Sequence, residues 1–361
     1  MENNNLRLIV MDNIMEFGQK VDSHLKKMKG IKDENFSFIV PVRMSRFASG
    51  EAKAEILESI RAKDVFILTD VMNHSCTYKM HGYINHKSPD DHFQDLKRVI
   101  SAMDTGAESI HVIMPFLYES RQHKRKGRES MDSSMALHEL EHMNVDSIIT
   151  FDAHDPNVSN AIPNLPFENF YIAHDILNRI IEEENIDNIL VVSPDMGAME
   201  RARYYAEILG SDVGVFYKRR DLSKVVDGKN PIVEHVYLGS DVKGKDIIVV
   251  DDMIASGTSM LEVAAYLKDN GANKVYLVST FALLTEGPNK FIEAYNNGLF
   301  DKMYSTNLSY VPEIIKNEPW YEDVDCSNRL ANIINKLHNK ESLKTIFDDT
   351  NEVLIKVHNK K

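Results

Sequence analysis

The chain has 361 residues, 43% hydrophobic and 27% charged, with a formal net charge of −13, the composition of a globular protein of one large or two medium domains. The acidic balance argues against a general nucleic-acid binder, which needs clustered cations to meet phosphates, yet it leaves room for a local positive pocket around a nucleotide. Cys76 and Cys326 fit no zinc spacing, no apolar run approaches membrane length and the start MENNNLRLIVMDN lacks a cationic leader, so a cytoplasmic protein with reduced thiols and no membrane partner is expected.

In chain order, Leu6–Met11 reads as a strand and Met15–Met28 as a helix closed by Gly30. Phe36–Val40 and the alternating run Ala52–Ile60 are predicted strands, making a hairpin around RMSRFASGE. Asp64–Thr69 is a strand again. Asn73–Pro89, rich in His, Tyr and Asn, reads as a loop or insertion before a helix over Asp91–Met103. Ile110–Met114 (strand), Met131–His142 (helix) and Ser147–Thr150 (strand) follow. The second half repeats the logic with helix Ala173–Glu184, strand Ile189–Val192, helix Ala198–Leu209, strands Val213–Tyr217 and Ile247–Val250, a helical pattern from Met260 to Leu267, strand Val275–Thr280 and helix Pro288–Asn296. Such alternation predicts an α/β fold with mainly parallel sheets. Asn and Pro cluster in Asn160–Pro166, which divides the chain into domains 1–162 and 163–309. The tail 310–361 carries amphipathic helical spacing over Cys326–His338 and is expected to rejoin the first domain.

The stretch Asp246–Gly271 carries the most chemistry. Two adjacent acids, Asp251 and Asp252, stand where an apolar strand should end, and a small-residue turn, Ala255–Ser259, leads into a helix. Backbone N–H groups at a helix N-terminus, reached through a glycine turn, cradle phosphate, while the acids can accept hydrogen bonds from sugar hydroxyls. A phosphorylated pentose suits both, although an ordinary strand–turn–helix with exposed acids is the plainer alternative. Other strands also end in polar residues, where ligands of open parallel sheets bind. Asp152 and His154, two apart, are expected on one face. Asp195 can hold a hydrated Mg²⁺ or merely cap the next helix. Arg121, Lys124, Arg125, Lys126 and Arg128 follow the strand Ile110–Met114 and can meet a triphosphate or form a solvated face. Lys218, Arg219 and Arg220 end a strand ahead of a polar loop able to close over phosphates.

VVDDMIASGTS resembles the phosphoribosyl-binding loop of the type I phosphoribosyltransferase fold, and the two acids before Met-Ile resemble the ribose-phosphate pyrophosphokinases in particular. SPDMGAMERAR is similar to that family's Ser-Pro-Asp-x-Gly…Arg-Ala-Arg stretch, ITFDAHD to its Met-Asp-Leu-His motif, and RFASGEAKAEILESIRAKDVFIL to its Arg-Phe-x-Asp-Gly-Glu segment. The resemblance runs in the family's order from about Arg46 to Phe347, interrupted by an insertion near Tyr78–Pro89. It implies two similar phosphoribosyltransferase-like domains, each a mainly parallel sheet flanked by helices. It further implies ATP contacts at Phe47, Ser49, Gly50, Glu51, Arg121, Gln122 and His154, with Mg²⁺ near His154 and Asp195. Ribose 5-phosphate would lie against Arg220, Asp251, Asp252, Ala255, Ser256, Gly257, Thr258 and Ser259, and Lys218 and Arg220 would be catalytic.

The implied activity transfers the diphosphoryl group of ATP to ribose 5-phosphate, giving 5-phosphoribosyl diphosphate and AMP, in a homo-oligomer (dimer or hexamer). Three departures stand out. Ser49 replaces the family's aspartate, His123 and Lys124 break its Arg-Gln-Asp-Arg-Lys run, and the loop Ala255–Ser259 is one residue shorter and lacks a third acid. These leave open a non-catalytic regulatory paralogue of the synthetase, or a phosphoribosyltransferase, whose loops have this shorter length.

Overall fold

The computed structural model describes residues 5–103, 106–220 and 232–347, which fall into two compact units. In the first, β1 (Leu6–Val10) leads through a short 3-10 turn into α1 (Met15–Met28). α1 forms because Phe17, Val21 and Leu25 recur every four residues and are all buried, with Lys26 and Lys27 placed favourably at its carbonyl end. β2 (Val42–Arg46) and β3 (Ala52–Ile56) make an antiparallel hairpin that joins no larger sheet. Next come β4 (Asp64–Leu68), a second hairpin of β5 (Thr77–Met80) and β6 (Tyr83–His86), α2 (Pro89–Ala102), β7 (Ser109–Ile113), α3 (Asp132–His142), β8 (Ser147–Phe151) and β9 (Phe167–Phe170). The sheet order is β1-β4-β7-β8-β9, all parallel. β4 and β8 are buried along their whole lengths, as strands covered on both faces must be.

The second unit holds α4 (Ala173–Glu183), β10 (Ile189–Ser193), α5 (Met199–Leu209), β11 (Asp212–Arg220), β12 (Ile232–Leu238), β13 (Asp246–Ile254), α6 (Thr258–Asp269), β14 (Lys274–Ala282), α7 (Asn289–Asn296), β15 (Lys302–Thr306), α8 (Glu313–Lys316) and β16 (Tyr321–Val324). Its sheet runs β12-β11-β10-β13-β14-β15-β16 and is parallel except for β12 against β11. From β10 the chain steps through α5 to β11 on one side; from β13 it steps through α6 to β14 on the other. The neighbours β10 and β13 are therefore the switch point, where an open α/β sheet leaves a crevice outside its strand ends.

The α/β class and the two repeated sheet-and-helix units match the sequence reading, but several details differ. Phe36–Val40 makes only an isolated bridge from Ile39 to Leu8, because Asp22 takes the Phe38 N–H at 2.7 Å and Pro41 ends the segment. Asn73–Pro89 is not a plain loop but contains the β5–β6 hairpin. The first unit reaches Ile172 rather than residue 162, since β9 pairs with β8. Asn307–Val311, which leads into the tail, and Asp325–Ile346 join the first unit, whereas Pro312–Val324 belongs to the second, where β16 pairs with β15. Among the described residues no helix is long and apolar enough to cross a membrane.

The last long helix, α9 (Ser327–His338), packs on α1 within the first unit and buries Leu330, Ile333 and Ile334. It is pinned by charge as well as by burial. Asp64 accepts hydrogen bonds from His338 Nδ1 at 2.6 Å and from Ser109, and His111 Nε2 lies 3.0 Å away. Burial opposes ionisation of Asp64, but the bonds from His111, His338 and Ser109 outweigh it and hold the carboxyl well below its usual range. A depressed carboxyl pKa stabilises the fold above the unfolded value near ~4, and the gain is lost as pH falls through the folded value. His338→Ala is expected to lower unfolding free energy at neutral pH by about 1–3 kcal/mol. In urea titrations at several pH values, the gap between parent and variant should close below about pH 4.

Candidate functional site

At the switch point of the second unit, β13 outruns its neighbour. β10 pairs with it only as far as Val192↔Val249, whereas β14 follows it to Ile254↔Ala282. Asp251 and Asp252 thus lie inside a strand, not after one as the sequence suggests, with the β10 edge open beside them. Consecutive strand residues face opposite sides, and Asp252 is 2% exposed while Asp251 is half-buried. Arg201 Nη1 of α5 stands 3.8 Å from Asp251 Oδ1. Burial, then the adjacent Asp252 carboxylate, push Asp251 well above the usual carboxylate range, and Arg201 offsets this only in part. Such a pair keeps a proton to higher pH than an isolated carboxyl does, and a cation nearby counters that tendency.

The turn after β13 is shaped by Gly257. It caps α6 with φ +78°, and a side chain there would run into the buried Phe291 ring, so glycine is required on both grounds. Backbone ties hold the turn from behind, since Leu284 N–H donates to Ile254 O and Thr285 N–H to Ala255 O, each at 3.0 Å. Ala255, Ser256 and Ser259 are half-buried and Thr258 is exposed, and the first-turn amides of α6 have no upstream helical carbonyl to satisfy them. Lys290 Nζ of α7 lies 3.5 Å from Thr258 Oγ1. The arrangement can hold an anion at the turn and hydroxyl donors at the acids.

Across the same switch point, Asp195 follows β10. Its Oδ1 accepts the Gly197 and Ala198 N–H groups at 2.8 and 3.3 Å, so it caps the turn into α5. Its Oδ2 makes no hydrogen bond among the described residues and suits a magnesium ion that keeps most of its waters. Among the described residues no group of three or more His, Cys, Asp or Glu side chains is placed to hold a metal alone. Lys218 and Arg220 lie on the end of β11, whose backbone pairs Lys218 with His235 and Arg220 with Ile232 around a bulge. The strand continues beyond the predicted Tyr217. The loop expected after it, 221–231, lies outside the described residues.

In the first unit, Phe47, Ser49, Gly50 and Glu51 form the β2–β3 turn, closed by Phe47 N–H to Glu51 O at 2.8 Å and Gly50 N–H to Phe47 O at 2.9 Å. Phe47 is 52% exposed, and Ser49 Oγ donates to Glu51 Oε2 at 2.9 Å. Arg121 and Gln122 follow β7, and His154 follows the adjacent β8. Their loops are joined by His154 N–H donating to Ser120 Oγ at 3.0 Å. Arg121 and His154 are exposed there, but Gln122 Nε2 turns back to Ser130 O at 2.9 Å and braces its own loop. Asp152 and His154 do not share a face. The strand ends at Phe151 and Asp152 takes φ +44°, which buries Asp152 and leaves His154 outside.

Both segments of the first unit are fixed by neighbouring residues of α2. Arg46, next to Phe47, pairs with Asp91 at 3.4 Å, and Tyr118 OH, near Arg121, donates to Asp90 at 2.6 Å. Burial, then Asp90, push the Tyr118 hydroxyl pKa far up. Sequence reasoning assigned no role to Arg201 or Lys290. The Arg-Ala-Arg in SPDMGAMERAR was a signal for Arg201, whereas Lys290 carries none.

The family model for the N-terminal domain of ribose phosphate pyrophosphokinase matches residues 6–143, and that for the phosphoribosyl transferase domain matches residues 168–294. The chain belongs to the ribose-phosphate pyrophosphokinase family. It is 27% identical over 311 residues to a ribose-phosphate pyrophosphokinase of Chlorobaculum tepidum, covering 86% of this chain and 88% of that one. With the relative of the same name from Nostoc sp. the identity is 27% over 349 residues, or 96% and 94% of the two chains. The crystal structure of phosphoribosylpyrophosphate synthetase from Mycobacterium smegmatis has the same fold, with TM-score 0.76 and 23% identity over 93% of this chain and 99% of that one.

The turn after β13 cannot be rebuilt around a side chain at Gly257. Gly257→Ala is expected to cost about 1–3 kcal/mol through its positive φ and the overlap with Phe291. Thermal unfolding should show it as a Tm lower by several degrees, and an unchanged Tm would contradict this account of the turn.

Proposed function

We propose that this chain transfers the diphosphoryl group of ATP to ribose 5-phosphate, yielding 5-phosphoribosyl diphosphate and AMP. The observation that carries the reading is the joint placement, at one switch point, of the Asp251–Asp252 pair, the Gly257 turn and Asp195. The turn Ala255–Ser259 receives the 5-phosphate on its amides. Asp251 and Asp252 accept the ribose hydroxyls, and Arg201 keeps Asp251 in place. The anomeric hydroxyl oxygen then attacks the β-phosphorus in line and gives up its proton to solvent; the bond from the β-phosphorus to the oxygen it shares with the α-phosphorus breaks, and AMP leaves with that oxygen.

Little covalent work falls to the protein, whose contribution is orientation and neutralisation of charge. Lys218 and Arg220 stabilise the charge on the transferring group. Phe47, Ser49, Gly50 and Glu51 receive the adenine end of ATP, and Arg121, Gln122 and His154 its phosphates. When bound, Mg²⁺ would neutralise charge on the phosphates of ATP; Asp195, through Oδ2, is the residue of the second unit that would offer it a ligand, and His154 the residue of the first. The exposure of Phe47 fits a turn that works against a second copy, and we read the protein as a cytoplasmic homo-oligomer, dimer or hexamer.

Lys218→Ala should cut AMP release from ribose 5-phosphate and ATP by on the order of a hundredfold or more; near-normal turnover would count against its role. Because Asp251 holds its proton to unusually high pH, protons compete with sugar hydroxyls there, and ribose 5-phosphate should bind more weakly as pH falls. Asp251→Asn should raise the KM for the sugar phosphate by roughly tenfold and flatten that pH dependence. The sugar phosphate's own ionisation near pH ~6 is common to both proteins. An identical pH profile in the variant would remove Asp251 from the site.

A further inference from the structure

The turn Phe47–Glu51 sits at the end of β2–β3, a two-stranded ribbon outside the main sheet. Ribbons of two strands are marginal alone, so something else must keep this turn in one shape. The β5–β6 hairpin does so by three contacts. His81 N–H donates to Ala48 O at 2.9 Å. Met80 lies against Gly50, where a Cβ would stand 2.5 Å from its sulfur and where φ is +97°. Tyr78 places its ring 4.2 Å under the Arg46 guanidinium, a cation–π contact on the residue that precedes Phe47.

The same arginine is held from its other side. Arg46, Lys87 and Arg98 converge on Asp95, at 3.2, 2.9 and 2.6 Å, and the Asp95 side chain is only 1% exposed. One buried carboxylate of α2 thus gathers the strand that leads into the turn and the residue that follows β6. The base of the β5–β6 hairpin is itself closed by Lys87 N–H donating to Cys76 O at 2.8 Å. Neither of its strands joins the main sheet.

On the reading given above, we propose that the β5–β6 hairpin is the positioning element of the nucleotide turn. It fixes Phe47–Glu51 before ATP arrives, so that the ordering entropy of the turn is not charged to nucleotide binding. It therefore sets affinity for ATP and leaves the transfer step and the sugar-phosphate site alone. A turn held from behind in this way relies less on an aspartate charge at its tip, where this chain has Ser49 bonded to Glu51.

The test replaces residues 77–86 by Gly-Gly in the full chain, a joint that the short Cys76–Lys87 contact permits. AMP release is then measured against ATP and against ribose 5-phosphate in turn. The KM for ATP should rise on the order of tenfold, with kcat and the KM for ribose 5-phosphate within about twofold of the parent. Tyr78→Leu keeps the chain length and should give the same pattern at roughly threefold, which preserves the test if the shortened chain does not fold. Amide hydrogen exchange at Phe47 and Gly50 should speed up in both variants. An unchanged KM for ATP, or a fall in kcat with both KM values raised together, overturns the inference and leaves the assigned reaction standing. A parent protein that releases no AMP removes the assigned reaction itself, and the inference with it.

Discussion

Much of the second unit's chemistry depends on one mismatch of strand lengths. Past Val249, β13 has lost β10 as a partner but keeps β14 to Ala282. A strand held on one edge only is still extended and still rigid, yet its other edge opens onto the crevice. Asp251 is therefore fixed in place without being sealed in, while Asp252 is buried behind it. Their cost shows in the raised pKa of Asp251, for which burial and the neighbouring carboxylate are responsible. Carboxylates crowded in this way bind hydroxyl donors or a cation more favourably than they bind nothing.

The first unit solves a different problem with α2. Within its first two turns this helix offers Asp90, Asp91 and Asp95, which reach Tyr118, Arg46 and the Lys87–Arg98 pair. Loops from three separate places in the sequence are thereby referred to one rigid rod. Rigid elements hold a binding constellation more closely than loops alone can. At the far side of this unit, Asp64 performs the same service for α9 by joining His111 and His338. Buried acids with several partners, Asp95 and Asp64, are the recurring device, and loss of any one partner leaves a buried charge poorly compensated.

The sequence by itself determined the α/β class, most helices and central strands, and the residues that gather at strand ends. Met15–Met28 and Asn289–Asn296 declare themselves because burial on one helical face leaves a periodicity of 3.6 that any reader of the chain can see. Gly257 was legible as part of a small-residue turn between an apolar strand and a helical pattern, but its left-handed cap against Phe291 is a fact of the tertiary structure. What only the tertiary structure decided is whatever depends on a partner distant in the chain. The continuation of β13 through its acids is set by β14, the burial of Asp152 by a positive φ at the end of β8, and the place of β9 by its pairing with β8. The β5–β6 hairpin and its grip on Arg46 belong with these. Hydrogen bonds and charge pairs between remote segments leave no period behind them, so a linear reading finds the residues but not the company they keep.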